Sequence, residues 1–553
     1  MASLTPLQGA LGKHRAAHLL RRCSYRYTKQ RIDQLASMNV DQAVNDLLAL
    51  TPLELDQPVY DNPGTPAVEQ VKWLLPVGQT FPDQEFQLRQ RVIGWWLNEA
   101  LEDKGIGHRM SFFFHQYMAT NITTYNHATF FDYLSLLRWG CLGNLKKMAT
   151  KIVSDNTMLI YLNGHQNSLT NPNENFAREF FELFTIGKGP QIAPGDYTHY
   201  TEDDIVQAAR VFTGWRLQPN RTTLDPETNI PRGTAVISRH DKGNKTFSSK
   251  FQNTVITGAT TATAMYTELD AIVNMVFAQP ETARNFVRRI YRYFVHGNIT
   301  EEIEQDIIEP LAESLRTNNY EIVPMMRKLL KSQHFYDMDD AQNADEIIGG
   351  IIRSPLEQAL QSISFFGIPI PSPYTENVKH YITFYYSGVY ERMLGLANLS
   401  LFYPPDVAGY TAYHQEPEFS RHWFSSTSII ARYKLPQMLL TGKRVIGGSA
   451  SSNNSSIGIK LDIVPWVKNS GTTNDPSNPY QLVKDLLDYL LPVEVDEERF
   501  NYFYEQIFLD GLPPSDWTYE WQNYLATNNQ TEVKIPLERL INHIMYSPEY
   551  QTF

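Results

Sequence analysis

The sequence predicts a mainly α fold: a large multi-helix body with a small β excursion and a C-terminal helical subdomain. Three observations carry this. Apolar residues recur at helical spacing through most of the chain, and several of these stretches have complete start and stop signals. Between 217 and 258 the helical period gives way to Pro, Gly, Asn and Thr, with short alternating runs such as TAVISRH and KTFSSKF.

Taken in order, residues 1–51 read as N-terminal helices. Leu11, Ala16, Leu19 and Leu20 lie among basic residues over 9–22, and Ile32, Leu35, Val40, Ala43 and Leu48 repeat the pattern over 30–50. The Pro-rich stretch Pro52–Pro82 reads as a surface connection. The main body spans 84–440. It opens with a helix over 84–103 carrying Trp95 and Trp96, continues with an aromatic helix from Arg109 to Asn121, and then shows a helix pair from Phe130 to Tyr161. Two further helices carry the most complete signals. Asn171, Pro172 and Glu174 predict an N-cap, first position and capping box, with Gly187 as the stop; Thr201 and Asp204 predict a second box, with Gly214 as its stop. The 217–258 excursion follows. Helical periodicity then resumes to about His334, returns from Ser354 to Phe366, and ends near Leu440. Gly447–Gly458, GGSASSNNSSIG, reads as a flexible linker, and 479–553 as the C-terminal subdomain.

At 553 residues the chain suggests about three or four domains by length alone. Its 60 acidic against 48 basic residues give a net charge of -12, and no dense Lys/Arg block offsets it, so nucleic acid is excluded as an expected partner. No apolar run approaches the roughly 20 residues that cross a bilayer. The opening MASLTPLQGALGKHRAAHLLRRC lacks the apolar segment of a secretory leader, which predicts a cytoplasmic protein. Cys23 and Cys141 are too few for a disulfide framework or zinc knuckle and read as buried thiols.

The segments HLLRR, MSFFFH, YLNGHQN, PNENFAREFFELFTIG, YTEDDIVQAARVFTGW, HDKGNKTF, RSPLE, YPPDVAGY and SPEYQ, in this order, resemble the bacterial family catalogued as domain of unknown function 1800. The resemblance runs from about residue 14 to residue 550. It implies a large α-helical protein, often encoded beside a sulfatase-like partner of the family catalogued as domain of unknown function 1501. Many relatives carry export signals, which implies the cell envelope as the alternative location. The chain departs from the family pattern at Tyr117 and Phe184, where relatives show histidines, and at Tyr25, Arg26 and Tyr410. Two potential metal ligands are thereby missing.

Two constellations hold the candidate chemistry. On the central helix, Glu174, Asn175, Arg178, Glu179 and Glu182 fall within an arc of about 140° at 100° per residue, opposite an aromatic face. One reading is a solvated face over an aromatic core. The other is a cleft lining, with Glu179 and Glu182 as acid/base or metal-ligand carboxylates, Arg178 as an anion clamp and Asn175 as a substrate contact. The second constellation is SRHDKGNKTF, where His240 and Asp241 suit a metal or a base and its orienter, and Lys245 suits an anionic substrate; a plain turn with Lys245 exposed is the alternative. His115 joins His240 and Asp241 as a candidate ligand for a divalent metal, or else is a core histidine. Trp215 is a pocket wall or a core anchor.

No P-loop, G-x-G-x-x-G, H-E-x-x-H, G-x-S-x-G or C-x-x-C motif occurs, so familiar nucleotide, zinc-protease and serine-hydrolase machinery is not expected. Three function classes remain: a metal-assisted hydrolase or transferase with a polar cleft, a non-enzymatic scaffold for the sulfatase-like partner, or an envelope carbohydrate-binding protein using aromatic loops such as Tyr403–Trp423.

Overall fold

The computed structural model describes residues 2–49, 59–60, 71–72, 85–339, 347–371, 381–443 and 459–553. Helices dominate it. α1 (Gly12–Cys23) buries Leu19 and Leu20 and also the basic residues Arg21 and Arg22. The apolar pattern over 30–50 forms two helices, α2 (Lys29–Ala36) and α3 (Val40–Leu48), because Asn39 makes a capping box with Gln42 and starts a new helix there. The connection Pro52–Pro82 lies outside the described residues, except that β1 (Val59–Tyr60) pairs antiparallel with β2 (Val71–Lys72).

α4 (Glu85–Glu102) and the wholly buried α5 (Gly107–Tyr117) follow. The helix pair expected from Phe130 to Tyr161 is three helices: α6 (His127–Gly140), α7 (Leu145–Val153) and α8 (Asn156–Tyr161). Each has its own cap, Asn126, Asn144 and Asp155, whose side chains accept from backbone N–H groups of the first turn.

α9 (Glu174–Glu179) starts later than the sequence predicts. Asn173, not Asn171, is the cap, accepting from the Asn175 backbone, so the Asn171–Glu174 box does not form. Its last turn widens into a π-helical turn, Phe180–Phe184, before Gly187 at φ +78° ends it. A hairpin, β3 (Gln191–Ala193) with β4 (Asp196–Tyr197), fills the polar connection. α10 (Glu202–Val211) has the predicted Thr201–Asp204 box. The β excursion is realised as two short ladders: β5 (Trp215–Arg216) pairs with β6 (Thr234–Ala235), and β7 (Lys245–Thr246) with β8 (Val255–Ile256). α11 (Ala262–Phe277) and α12 (Pro280–Phe294) return to the helical body. Later helices include Pro355–Phe365, Ser428–Thr441, Pro479–Leu490, Pro514–Thr527 and Thr531–Tyr546. The expected linker 447–458 lies outside the described residues.

A buried polar hub ties the two ends of the chain together. The Arg22 guanidinium donates to the carbonyls of Phe294 (2.8 Å), Val295, Ile347 and Phe553 (3.5 Å). Arg109 pairs with Glu357, which also closes the capping box with Ser354. Arg353 donates to the Tyr550 carbonyl at 3.0 Å, and Arg432 to the Gln551 side chain at 2.9 Å. Buried cations keep their charge only where acceptors surround them, and these do so with carbonyls drawn from distant segments. Among the described residues no helix is long and apolar enough to cross a membrane.

Candidate functional site

The aromatic face of α9 packs on α10, with Phe176 and Phe180 centred 5.1 and 5.0 Å from Phe212. This turns the polar face outward, with Glu174 and Asn175 exposed and Arg178, Glu179 and Glu182 half-buried. There Arg178 forms a two-pronged ion pair with Glu202 at 2.8 and 2.6 Å, with Glu174 at 3.8 Å. Its fork is therefore engaged by protein carboxylates rather than open to an anionic ligand. Glu182 accepts from the Tyr200 hydroxyl at 3.3 Å and lies 3.8 Å from Lys188. Half-buried Glu179 has no ion-pair partner among the described residues. Its carboxyl is pushed up to about 7, first by burial and then by the negative charge of Glu182, with Arg178 opposing and Asp406 adding to the rise. The charges of Asp406 and Glu179, after burial, also raise the Tyr161 hydroxyl. Glu179, Glu182, Tyr161 and Asp406 thus form one electrostatic cluster, and Asn175 is exposed beside it.

Asp406 comes from a loop whose position is fixed by its glycine. Gly409 sits at φ +90°, and a Cβ there would collide with the Gln116 carbonyl oxygen, so the loop presses directly on α5. Asp406 itself turns the chain by accepting from the Ala408 backbone at 2.8 Å. Between this loop, α5, α12 and residues 351–357 lies a cavity of about 200 Å³. Leu183, one turn on from Glu179, forms part of its wall together with Gln116, Tyr117, Arg289 and His414.

A family model described as "Protein of unknown function (DUF1800)" matches residues 18–552. The chain belongs to this family. No curated protein and no solved structure matches it. In this DUF1800 protein, the segments that carry the resemblance divide by place. HLLRR, RSPLE and SPEYQ meet in the buried hub; MSFFFHQY, PNENFAREFFEL and YPPDVAGY supply cavity-lining residues, as do Ser354 and Glu357 of RSPLE, so the hub and the cavity share a wall.

The remaining sequence candidates are placed elsewhere by the DUF1800 fold. His240 and Lys245 are 1% and 0% exposed, and both meet Glu268 of α11, at 2.8 and 2.5 Å. His240 also bonds Thr213, and Lys245 the Asp241 carbonyl. Asp241 pairs with Arg210 at 2.8 Å. The expectation of a metal-binding or substrate-holding loop is corrected: Glu268 sits at its centre and seals it as an internal clamp, so Lys245 faces no solvent. Glu268 carries no local sign of this in the sequence, because TELDAIV reads as an ordinary amphipathic helix. His115 is fully buried, its Nδ1 3.0 Å from the Tyr133 hydroxyl, which itself donates to the Met118 carbonyl. Burial pushes His115 down to about 3, a neutral core histidine. Trp215 packs edge-on against Tyr266 at 4.9 Å inside the core and is an anchor, not a pocket wall. Among the described residues no three His, Cys, Asp or Glu side chains gather as a metal would require, so His115, His240 and Asp241 are not one centre.

Proposed function

We propose that this protein is an enzyme of hydrolytic or transfer chemistry whose acid/base group is Glu179, acting beside the cavity bounded by α5, α12 and the loop at 403–414. One observation supports the reading above all: a half-buried carboxyl with no ion-pair partner among the described residues, raised to about 7, one helical turn from a cavity wall. A group with that affinity holds and releases a proton near neutral pH, where a proton-transfer catalyst works best. Glu182 acts through Glu179, its charge keeping the proton there, and Tyr161 and Asp406 complete the polar rim.

The test is a panel of phosphate, sulfate and glycosidic esters assayed with the wild type and Glu179→Gln. The expected result is turnover of at least one class, a rate that changes around pH 7, and a loss of about 10²–10⁴-fold in the variant. Turnover untouched by Glu179→Gln, or none across the panel, overturns the assignment.

A further inference from the structure

Four arginines project from α12, and they are not treated alike. Arg284 meets Glu309 at 2.6 Å, Arg288 meets Glu304 at 2.6 Å and also Glu281, and Arg292 meets Glu416 at 3.1 Å. Arg289 meets no carboxylate among the described residues; its guanidinium lies 5.0 Å over the ring of Tyr117 and lines the cavity. A partly buried cation held against an aromatic face, without a counter-charge, is costly to the protein alone.

The same cavity wall holds polar atoms that the protein does not satisfy. Gln116 Oε1, Tyr117 Oη and His414 Nε2 are buried and make no hydrogen bond, and Gln116 and Tyr117 are each only 5% exposed. Buried polar atoms are ordinarily paired, so several orphans on residues that line one cavity, beside an uncompensated cation, describe a site built for something else. Tyr117 Oη supplies a donor beside the cation, neutral His414 Nε2 can supply another, and Gln116 Oε1 accepts from a hydroxyl or N–H. Phe113, Tyr293 and Trp423 add flat apolar walls. The volume of about 200 Å³ equals roughly six or seven water volumes. That suits a compact, ring-bearing molecule.

We propose that this cavity binds a small organic oxyanion, a carboxylate or phosphate monoester on a ring, with its anionic group on the Arg289 guanidinium and its body against the aromatic walls. Arg289 is the group whose planar fork matches such an oxyanion. Burial, and the neighbouring charge of Arg292, push Arg289 down to about 10, in keeping with a cation that lacks its partner. The inference deepens the acid/base reading by naming its substrate class, and rests on that reading only for what happens to the ligand after it binds.

The test is calorimetric titration of the full chain with benzoate, phenyl phosphate, inorganic phosphate and neutral benzyl alcohol. The expected order is binding of benzoate or phenyl phosphate, weaker binding of inorganic phosphate and none of benzyl alcohol. Arg289→Met is expected to weaken the ring-bearing anion at least tenfold while raising the melting temperature of the ligand-free protein, which a merely structural arginine would lower. Arg289→Lys, which keeps the charge and loses the fork, is expected to fall between them and decides the matter if the Met variant does not fold. Failure of every anion to bind the wild type, binding of benzyl alcohol as tight as benzoate, or unchanged affinity in Arg289→Met or Arg289→Lys overturns the proposal. Glu179→Gln is expected to bind the anion as the wild type does. Binding retained with turnover lost supports both readings, and anion binding without any dependence of turnover on Glu179 removes the acid/base reading alone.

Discussion

Glu179 and Glu268 are both helix glutamates, and their surroundings give them opposite duties. Glu179 lies near the negative charges of Glu182 and Asp406 and is raised from 4.5 to about 7. A carboxyl raised on folding contributes stability below pH 4.5 that is lost as pH rises through 7, so the wild type should lose stability across that window. Glu179→Gln should flatten this part of the pH–stability curve and melt higher than the wild type at about pH 8, with little difference at about pH 4; thermal melts at both values check it. Glu268 instead receives His240, Lys245 and the Ala259 backbone. Removing it strands a buried cation, and Glu268→Ala should cost about 3–5 kcal/mol in denaturant unfolding, where a surface glutamate would cost almost nothing. These two residues also mark how far a sequence of this kind can be read. Glu179 is legible, because its helical face is plain from spacing alone. Glu268, Arg289 and His414 are not, because each owes its character to segments far off in the chain: an acid in TELDAIV and an arginine in RNFVRRIYRYF look the same whether they face water or one another.

At the scale of elements, caps and glycines do most of the placing. The box at Thr201 is legible because both partners lie within three residues. Asp204 does more than close it, since its carboxylate also takes the backbone and hydroxyl of Ser248 at 2.7 Å each and fastens α10 to the segment between β7 and β8. Thr201→Ala should therefore cost about 1 kcal/mol, and Asp204→Ala clearly more, measured by chemical unfolding. The start of α9 is not legible in the same way, because Asn171 and Asn173 are equally good caps by type. What separates them is tertiary: the Asn173 backbone and side chain are held by Asn167 and by the carbonyl of Asn163. Gly409 carries the clearest prediction. With φ +90° and a carbonyl oxygen where a Cβ would sit, Gly409→Ala should cost more than about 1 kcal/mol and push the loop off α5. The same titration that detects oxyanion binding should then show it weakened.

Over the whole molecule, the mainly helical class is legible because helical periodicity is a local property, repeated many times. The hub of arginines is hidden, since nothing in HLLRR announces that its second arginine is enclosed by carbonyls from residues 294, 295, 347 and 553. The C-terminal helices are fastened to α1 as well, through the Tyr489 carbonyl, which accepts from both Arg21 and Tyr27. The helices after residue 479 should accordingly melt with the body in a single calorimetric transition; a separate one at lower temperature would show that these links are weak. The same arrangement bears on how the chain is made. A ribosome adding about 5–20 residues per second needs roughly half a minute to two minutes for 553 residues. Arg22 emerges early and the Phe553 carbonyl 531 residues later, so the N-terminal helices cannot reach their final burial until residue 553 has emerged. A nascent chain of this design depends on being kept from aggregation until those distant carbonyls are in place, and its yield in a cell should respond to chaperone supply more than to the strength of any single helix.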